Sequence, residues 1–246
     1  MNRDFIRQDI ENRVEFIRRA LEEAHADGIV FGSSGGKDSA LVAILAKLAT
    51  PNVLGVIMPC QSRRNYGMDR DDALTLHEQF NIETVEVDVT PIKEAFVDAV
   101  KDAVEEQSDL AYINVNPRLR MAILYNIAQR RNYLVAGTGN LSEITMGYFT
   151  KWGDGASDLN PISDLTVTKV YEYLEYLDCP SAFLTKAPSA ALSEDQTDEK
   201  EMGVTYQEID SYIEGKEVSD AARAIIERRF RTSEHKRTGV KHYKAR

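Results

Sequence analysis

A glycine-rich turn between an apolar segment and an amphipathic one constrains this chain more than any other feature. It is the run from Phe31 to Ser39, FGSSGGKDS. A strand, a glycine turn and a helix in this order point backbone N–H groups and the helix dipole at one place, which predicts an anion-binding site. Gly35 and Gly36 would let the backbone approach a phosphate with no Cβ in the way. Further hydroxyl donors are available from Ser33, Ser34 and Ser39.

An acidic residue inside this run indicates a metal ion. Lys37 is followed by Asp38 and not by Ser or Thr, so the run is not a Walker A loop. A carboxylate beside a bound phosphate would repel it unless a cation lay between the two. We therefore predict that Asp38 is a ligand of Mg²⁺ that bridges to phosphate oxygens. A plain glycine turn whose acid caps the helix is the alternative.

Composition limits the class of protein. The chain has 246 residues and a net charge of −10, from 30 Lys and Arg against 40 Asp and Glu. That length suits one large α/β domain, and the acidic balance does not favour a nucleic-acid partner. No apolar run approaches a membrane span and the N-terminus does not read as a leader, so we expect a cytoplasmic protein with no membrane partner. Two distant cysteines, Cys60 and Cys179, form no disulfide framework.

Strand-like and helix-like segments alternate along the chain. Residues 28–31, 53–58, 84–89 and 133–136 are predicted strands, and helical periodicity fills the intervals between them. This order predicts an α/β fold with a doubly wound parallel sheet flanked by helices, and ligands at the carboxyl ends of the strands. We expect a single domain over residues 1–246. One helix should begin with Thr90 as cap and Pro91 in the first turn, and its inward side chains should be Ile92, Phe96, Val100 and Val104.

The C-terminal third has a different character. Prolines and an acidic run between residues 179 and 206 argue against regular structure, and a long loop in a compact domain is either functional or disordered. We favour an active-site lid for this segment. Helices and a basic tail should occupy residues 207–246. The tail is either solvated or a clamp on an anionic substrate.

A second acid could complete the metal site. Asn140 and Glu143 fit a capping box, which by itself would explain Glu143. Glu143 also follows a predicted strand, so it could face Asp38 across a bound Mg²⁺. Residues 149–158 combine a lysine, an aromatic side chain and several carboxylates with glycines, which suits recognition of a polar ligand. No serine-hydrolase or zinc signature occurs, and His25 and His77 are expected to be structural or exposed.

Several motifs together carry a family resemblance. The run from Ser34 to Ser39 resembles the pyrophosphate loop of the ATP pyrophosphatases, which have an adenine-nucleotide alpha-hydrolase-like fold and adenylate a substrate. The remaining motifs resemble the NAD⁺ synthetases nearly end to end: GTGNLSE at 137–143, FTKWGDG at 149–155, DLNPI at 158–162, PSA at 188–190, DE at 198–199 and HKR at 235–237. Because the chain has no room for a nitrilase-like domain, it resembles the ammonia-dependent form.

The resemblance implies a reaction. The nicotinate carboxylate of deamido-NAD⁺ would attack the α-phosphorus of ATP, and ammonia would then displace AMP to form the amide. Mg²⁺ would be the cofactor, ATP the co-substrate and a homodimer the assembly. Lys37 and Asp38 would be catalytic, with Asp38 and Glu143 on the metal. The ATP-binding residues would be Gly32, Ser33, Ser34, Gly35, Gly36, Lys37, Asp38, Ser39, Thr138 and Ser189, and the deamido-NAD⁺-binding residues Arg118, Lys151, Asp158, His235 and Lys236.

The chain departs from the family pattern at three positions. Val167 stands where the family has a lysine that contacts ATP phosphate, and Ala191 and Val240 also differ from the usual residues. A catalytically weakened nucleotide-binding homologue, or another pyrophosphate-loop enzyme such as a tRNA thiolase, therefore remains open as an alternative. If the reaction is intact, Lys37 or Lys169 could supply the missing charge. Lys37 could instead point to solvent.

Overall fold

The computed structural model describes residues 2–105, 108–185 and 198–243. Four parallel strands form its sheet in the order β3-β2-β1-β4. They are β1 (Gly28–Gly32), β2 (Val53–Ile57), β3 (Glu83–Glu86) and β4 (Tyr133–Ala136). The predicted parallel sheet is confirmed, with β2 and β3 ending earlier than expected.

The helices lie between and after these strands. Before the last strand they are α1 (Arg3–Ala24), α2 (Lys37–Ala49), α3 (Arg63–Tyr66), α4 (Met68–Phe80), α5 (Thr90–Val100), α6 (Asp109–Ile113) and α7 (Val115–Arg131). After it come α8 (Leu141–Met146), α9 (Val167–Tyr176), α10 (Ser181–Thr185), α11 (Asp198–Met202), α12 (Tyr206–Ile213), α13 (Asp220–Thr232) and α14 (Glu234–Arg237). The expectation that segment 179–206 lacks regular structure was wrong in part, because its described residues include the short helices α10 and α11. Residues 186–197 lie outside the described part of the chain.

Alternation along the strands divides the core between the two faces of the sheet. Ile29 and Phe31 of β1 pack with α1, α2 and α9. Val30, between them, packs on the other face with Met121 and Leu124 of α7. A third apolar cluster joins α8, α9, α11, α12 and α13 beyond the sheet. Helices therefore cover both faces, as expected of a doubly wound sheet.

Topology places a crevice beside β1. The chain runs from β1 outward to β2 and β3, then returns to add β4 on the other side of β1. Ligands of open α/β sheets bind where the strand order reverses, at the carboxyl ends of the strands. The glycine turn after β1 and the turn at residues 137–140 after β4 both lie at this point.

Helix α5 differs from its prediction. Its N-cap is Val89, and Thr90 is already helical, with its N–H donating to Asp88 Oδ1 at 2.9 Å. The expected inward side chains are exposed: Ile92 by 41%, Phe96 by 45%, Val100 by 44% and Val104 by 63%. That prediction was wrong, because α5 buries a different side chain, Lys93, whose ammonium lies 3.7 Å from the ring centre of Tyr112. Periodicity identified the apolar face but not the face that packs.

Membrane insertion finds no support in the helices. Within the ranges that the structure describes, no helix combines the length and apolar character that a bilayer crossing requires.

Candidate active site

The glycine turn after β1 has the geometry of a phosphate loop. Gly35 has φ of 68°, a left-handed conformation that side chains disfavour. A Cβ on Gly35 would also lie 2.1 Å from the Asp69 carbonyl oxygen. Gly36 is extended and forms the N-cap of α2 without a side-chain hydrogen bond, which leaves the helix N-terminus open to an anion.

A cavity of about 800 Å³ opens in front of this loop. Its walls come from the ends of β1, β2 and β4, from α7 and α8, and from α11, α13 and α14. Most of the predicted site residues line it: the whole run from Gly32 to Ser39, together with Thr138, Glu143, Arg118, Lys151, His235 and Lys236. Residues from both ends of the sequence thus share one space.

Two predicted residues do not join that set. Asp158 is not among the described residues that line the cavity, and its carboxylate accepts from the Tyr125 hydroxyl at 3.1 Å and the Val135 N–H at 2.7 Å. It ties α7 to β4. Ser189 lies outside the described residues, as does Ala191.

Asp38 and Glu143 face each other across Asn140. The Asn140 side-chain amide donates to Asp38 Oδ1 at 3.1 Å, and the Asn140 N–H donates to Glu143 Oε2 at 3.1 Å. The Glu143 N–H in turn donates to Asn140 Oδ1 at 3.0 Å, which completes the capping box. Burial and then the charge of Asp38 raise the pKa of Glu143 well above its usual value. The capping box therefore does not exclude a second role, because it holds Glu143 beside Asp38.

The chemistry of this pair fits a magnesium ion. Both groups are hard oxygen ligands, and a cation between them would relieve the repulsion that raises the pKa of Glu143. No group of three or more His, Cys, Asp or Glu side chains is placed to hold a metal among the residues that the structure describes. The remaining ligands would have to be phosphate oxygens and water, as is common for Mg²⁺ at nucleotide sites.

Lys37 points into the protein and not to solvent. Its ammonium lies 2.7 Å from Asp38 Oδ2 and 5.6 Å from the ring centre of Tyr206. Burial alone would lower the pKa of Lys37, but the charges of Asp38 and Glu143 raise it above its usual value. Lys169 is not among the described residues of the cavity wall. The buried lysine of the loop is therefore the cation beside the two carboxylates.

The loop serines bond mainly within the fold. Ser34 Oγ lies 3.1 Å from Ser39 Oγ, and Ser39 Oγ donates to the Gly36 carbonyl at 2.9 Å. The Ser33 N–H donates to the Val56 carbonyl at 2.9 Å, and its hydroxyl lies 3.0 Å from His77 Nε2. The loop is held in shape before any ligand binds.

Basic side chains gather at the other end of the cavity. Lys236 donates to the carbonyls of Gly147 and Phe149, at 2.8 Å each, and burial lowers its pKa. The ammonium of Lys151 donates to the His235 carbonyl, and Arg118 Nε donates to the Lys151 carbonyl at 3.4 Å. The C-terminal helix α14 is thereby fastened to the loop at 147–154.

Sequence reasoning missed some residues of this wall. Arg120 lines the cavity, and its Nε donates to the Met58 carbonyl at 3.0 Å at the end of β2. A second arginine two residues after Arg118 was the signal that could have indicated it. Nothing local in sequence pointed to Tyr206 of α12, which is not among the described residues lining the cavity but whose ring centre lies 5.6 Å from the Lys37 ammonium.

Sequence comparisons with known proteins identify one family. A family model described as NAD synthase matches residues 9–240. The NH₃-dependent NAD⁺ synthetase of Carboxydothermus hydrogenoformans is 46% identical, over 92% of this chain and 93% of the relative, and that of Mesoplasma florum is 40% identical, over 96% of each.

Solved structures of proteins with two different names resemble this chain. NMN synthetase from Francisella tularensis superposes with a TM-score of 0.91 at 39% identity, covering 97% of this chain and 98% of that one. The NH₃-dependent NAD synthetase from Campylobacter jejuni superposes with a TM-score of 0.81 at 28% identity, covering 99% and 100%. Because the family model spans residues 9–240 and the curated relatives are 40–46% identical over more than nine-tenths of the chain, this chain belongs to the NAD synthase family of ligases.

Proposed function

We propose that this protein amidates deamido-NAD⁺ with ammonia in an ATP-dependent reaction that passes through an acyl adenylate and releases AMP and pyrophosphate. One observation carries the proposal: a phosphate loop and a carboxylate pair share one cavity with a cluster of basic side chains. The loop end suits a triphosphate. The basic end suits the anionic dinucleotide.

A carboxylate is a poor electrophile, and adenylation gives it a leaving group. In our proposal the N-terminus of α2 and Lys37 hold the β- and γ-phosphates while pyrophosphate departs. Preorganised donors and cations of this kind are each worth about 3 kcal/mol of barrier. Asp38 and Glu143 would hold Mg²⁺, which when bound would neutralise phosphate charge. No nucleophilic side chain of the protein is needed, since ammonia attacks the adenylate directly.

Water must be kept from the adenylate until ammonia arrives. We propose that the segment 179–206 closes over the cavity as a lid, together with α14 and its basic residues. Support comes from α11 and α14, which both contribute residues to the cavity wall. A lid of this kind protects a reactive intermediate and commits the substrate.

A mononucleotide substrate is the second candidate. The solved NMN synthetase from Francisella tularensis has a TM-score of 0.91 with this chain, against 0.81 for the Campylobacter NAD synthetase. Nicotinate mononucleotide carries the same carboxylate and would be adenylated by the same chemistry. The curated relatives named NAD⁺ synthetase favour the dinucleotide.

Both candidates are tested by one assay. Purified protein receives ATP, Mg²⁺ and ammonium with either deamido-NAD⁺ or nicotinate mononucleotide, and the amide is quantified by chromatography. We expect kcat/KM to be higher for the dinucleotide by tenfold or more, a difference of about 1.4 kcal/mol in transition-state binding. A preference for the mononucleotide would replace the first proposal by the second. If neither substrate is amidated, the alternative of a catalytically weakened nucleotide-binding homologue would remain.

We further propose a homodimer whose interface includes the exposed face of α5. Ile92, Phe96 and Val100 are each more than 40% exposed there, and a contiguous apolar stripe of this kind suits a second copy. Sedimentation velocity should give a dimer for the wild type and a monomer for Phe96→Glu. Phe16→Glu is the matched control, because Phe16 is 40% exposed on α1. A wild-type monomer at micromolar concentration would contradict the proposal.

A further inference from the structure

The buried ring of His77 lies between the phosphate loop and the edge strand of the sheet. His77 Nε2 is 3.0 Å from Ser33 Oγ, in the loop, and His77 Nδ1 is 2.6 Å from Thr84 Oγ1, in β3. The exposed fractions of His77 and Ser33 are 2% and 5%. The ring thus links the edge strand to the loop that follows β1.

The strand between them makes room for this ring. A Cβ built on Gly55 of β2 would lie 2.2 Å from His77 Cε1, closer than any real contact. The rings of Phe31 and His77 also pack edge to face, with 5.9 Å between their centres. The imidazole is therefore fixed by packing on more than one side, and not only by its hydrogen bonds.

Hydrogen bonding around the ring favours one tautomer. Burial lowers the pKa of His77 to about 4, so the imidazole is neutral at pH 7. The Thr84 hydroxyl donates to the Ile82 carbonyl at 3.3 Å, so Thr84 Oγ1 accepts from Nδ1–H. His77 Nε2 is then an acceptor, and it takes the hydroxyl proton of Ser33.

The direction of this hydrogen bond determines where the Ser33 hydroxyl proton points. Its N–H already donates to the Val56 carbonyl at 2.9 Å, and its hydroxyl proton points to His77. Both donors of Ser33 are therefore engaged within the fold, although Ser33 also lines the cavity. Ser33 therefore anchors the start of the loop while the residues after it face the ligand.

We propose that His77 is a positioning residue for ATP binding, which fixes the phosphate loop through the Ser33 hydroxyl. This inference rests on the proposed function only because it takes ATP as the ligand of the loop. If His77 acts through Ser33, loss of either group should weaken ATP binding equally, and loss of both should weaken it no further.

The variants follow from the reach of each side chain. In His77→Gln the side-chain amide reaches the position of Nε2, where its oxygen can accept from the Ser33 hydroxyl. The amide of His77→Asn matches only the Nδ1 position and faces Thr84. The cycle consists of His77→Asn, Ser33→Ala and the double variant, with His77→Gln as the rescue. The measurements are the ATP dissociation constant by calorimetry, the melting temperature, and KM for each substrate.

We expect His77→Asn and Ser33→Ala each to weaken ATP binding about tenfold, the double variant to match either single one, and His77→Gln to stay near wild type. KM for the pyridine nucleotide should change much less. Additive losses would overturn the proposal. So would unchanged ATP binding in a His77→Asn protein that merely melts earlier, since that outcome shows packing alone.

A spectroscopic measurement needs no variant. In ¹⁵N-histidine-labelled wild-type protein, His77 should give the signals of an Nδ1–H tautomer with or without pyrophosphate. An Nε2–H tautomer would overturn the proposal. Calorimetry and this spectrum do not depend on turnover, so a protein that binds ATP without amidating anything would contradict the proposed function and leave this inference standing.

Discussion

Replacement of Lys37 by methionine is the perturbation that tests most about the reaction. Its ammonium is buried 2.7 Å from Asp38 and stands beside Glu143, so Lys37→Met leaves two partly buried carboxylates without that cation. It also removes a positive charge from the place where pyrophosphate develops its charge. A preorganised donor in such a place is worth about 3 kcal/mol, which predicts a fall in kcat of about a hundredfold.

The assay is steady-state amidation at saturating ATP, pyridine nucleotide and ammonium, with the melting temperature measured alongside. Lys169→Met is the matched control, because Lys169 is not among the described residues lining the cavity, and it should keep wild-type kcat. Adding Val167→Lys to Lys37→Met should not restore kcat, because Val167 is buried in an apolar cluster and, like Lys169, is not among the described residues lining the cavity. A Lys37→Met enzyme with wild-type kcat would refute the reasoning.

Further predictions concern the metal, the tail and pH. Asp38→Asn and Glu143→Gln should each lower turnover by orders of magnitude at nearly unchanged melting temperature, and a fully active Glu143→Gln would leave that residue only its capping role. Deleting the residues after Ser233 should raise KM for the dinucleotide more than KM for ATP, whereas equal changes would show that the tail does not read the dinucleotide. Burial lowers the pKa of His77 to about 4 from 6.5, so the unfolded chain binds more protons between these values. Urea unfolding should therefore show about 3 kcal/mol of stability present above pH 6.5 and lost as the pH falls to 4, and His77→Gln should lack that dependence. An equal pH dependence of the unfolding free energy in the wild type and in His77→Gln would contradict this last prediction.

The parts of the fold that the sequence predicted are those set by local chemistry. The glycine turn, the alternating strands and the capping box each depend on neighbouring residues, and Asn140 does cap α8 as its spacing indicated. Chain order then determined the parallel sheet and the crevice beside β1, because few topologies satisfy a strand–helix alternation.

Contacts between distant residues were beyond such reasoning. The apolar stripe of α5 did not reveal whether the core or another chain would cover it, since periodicity gives a face and no partner. Asp158 sits in a motif of mostly polar residues, yet its carboxylate bonds to Tyr125 of α7 and to the backbone of β4. His77 lies 44 positions from Ser33 in the chain, so only the folded sheet brings the imidazole to the loop.

Transfer of oxygen from substrate to AMP tests the central claim most directly. The protein is given ATP, ammonium and deamido-NAD⁺ labelled with ¹⁸O in its nicotinate carboxylate, and the nucleotide products are analysed by mass spectrometry. Attack of that carboxylate on the α-phosphorus, followed by displacement with ammonia, leaves one carboxylate oxygen on the phosphate. The account predicts one ¹⁸O in each AMP and one AMP for each amide formed. Unlabelled AMP, or ADP with inorganic phosphate as the products, would contradict it.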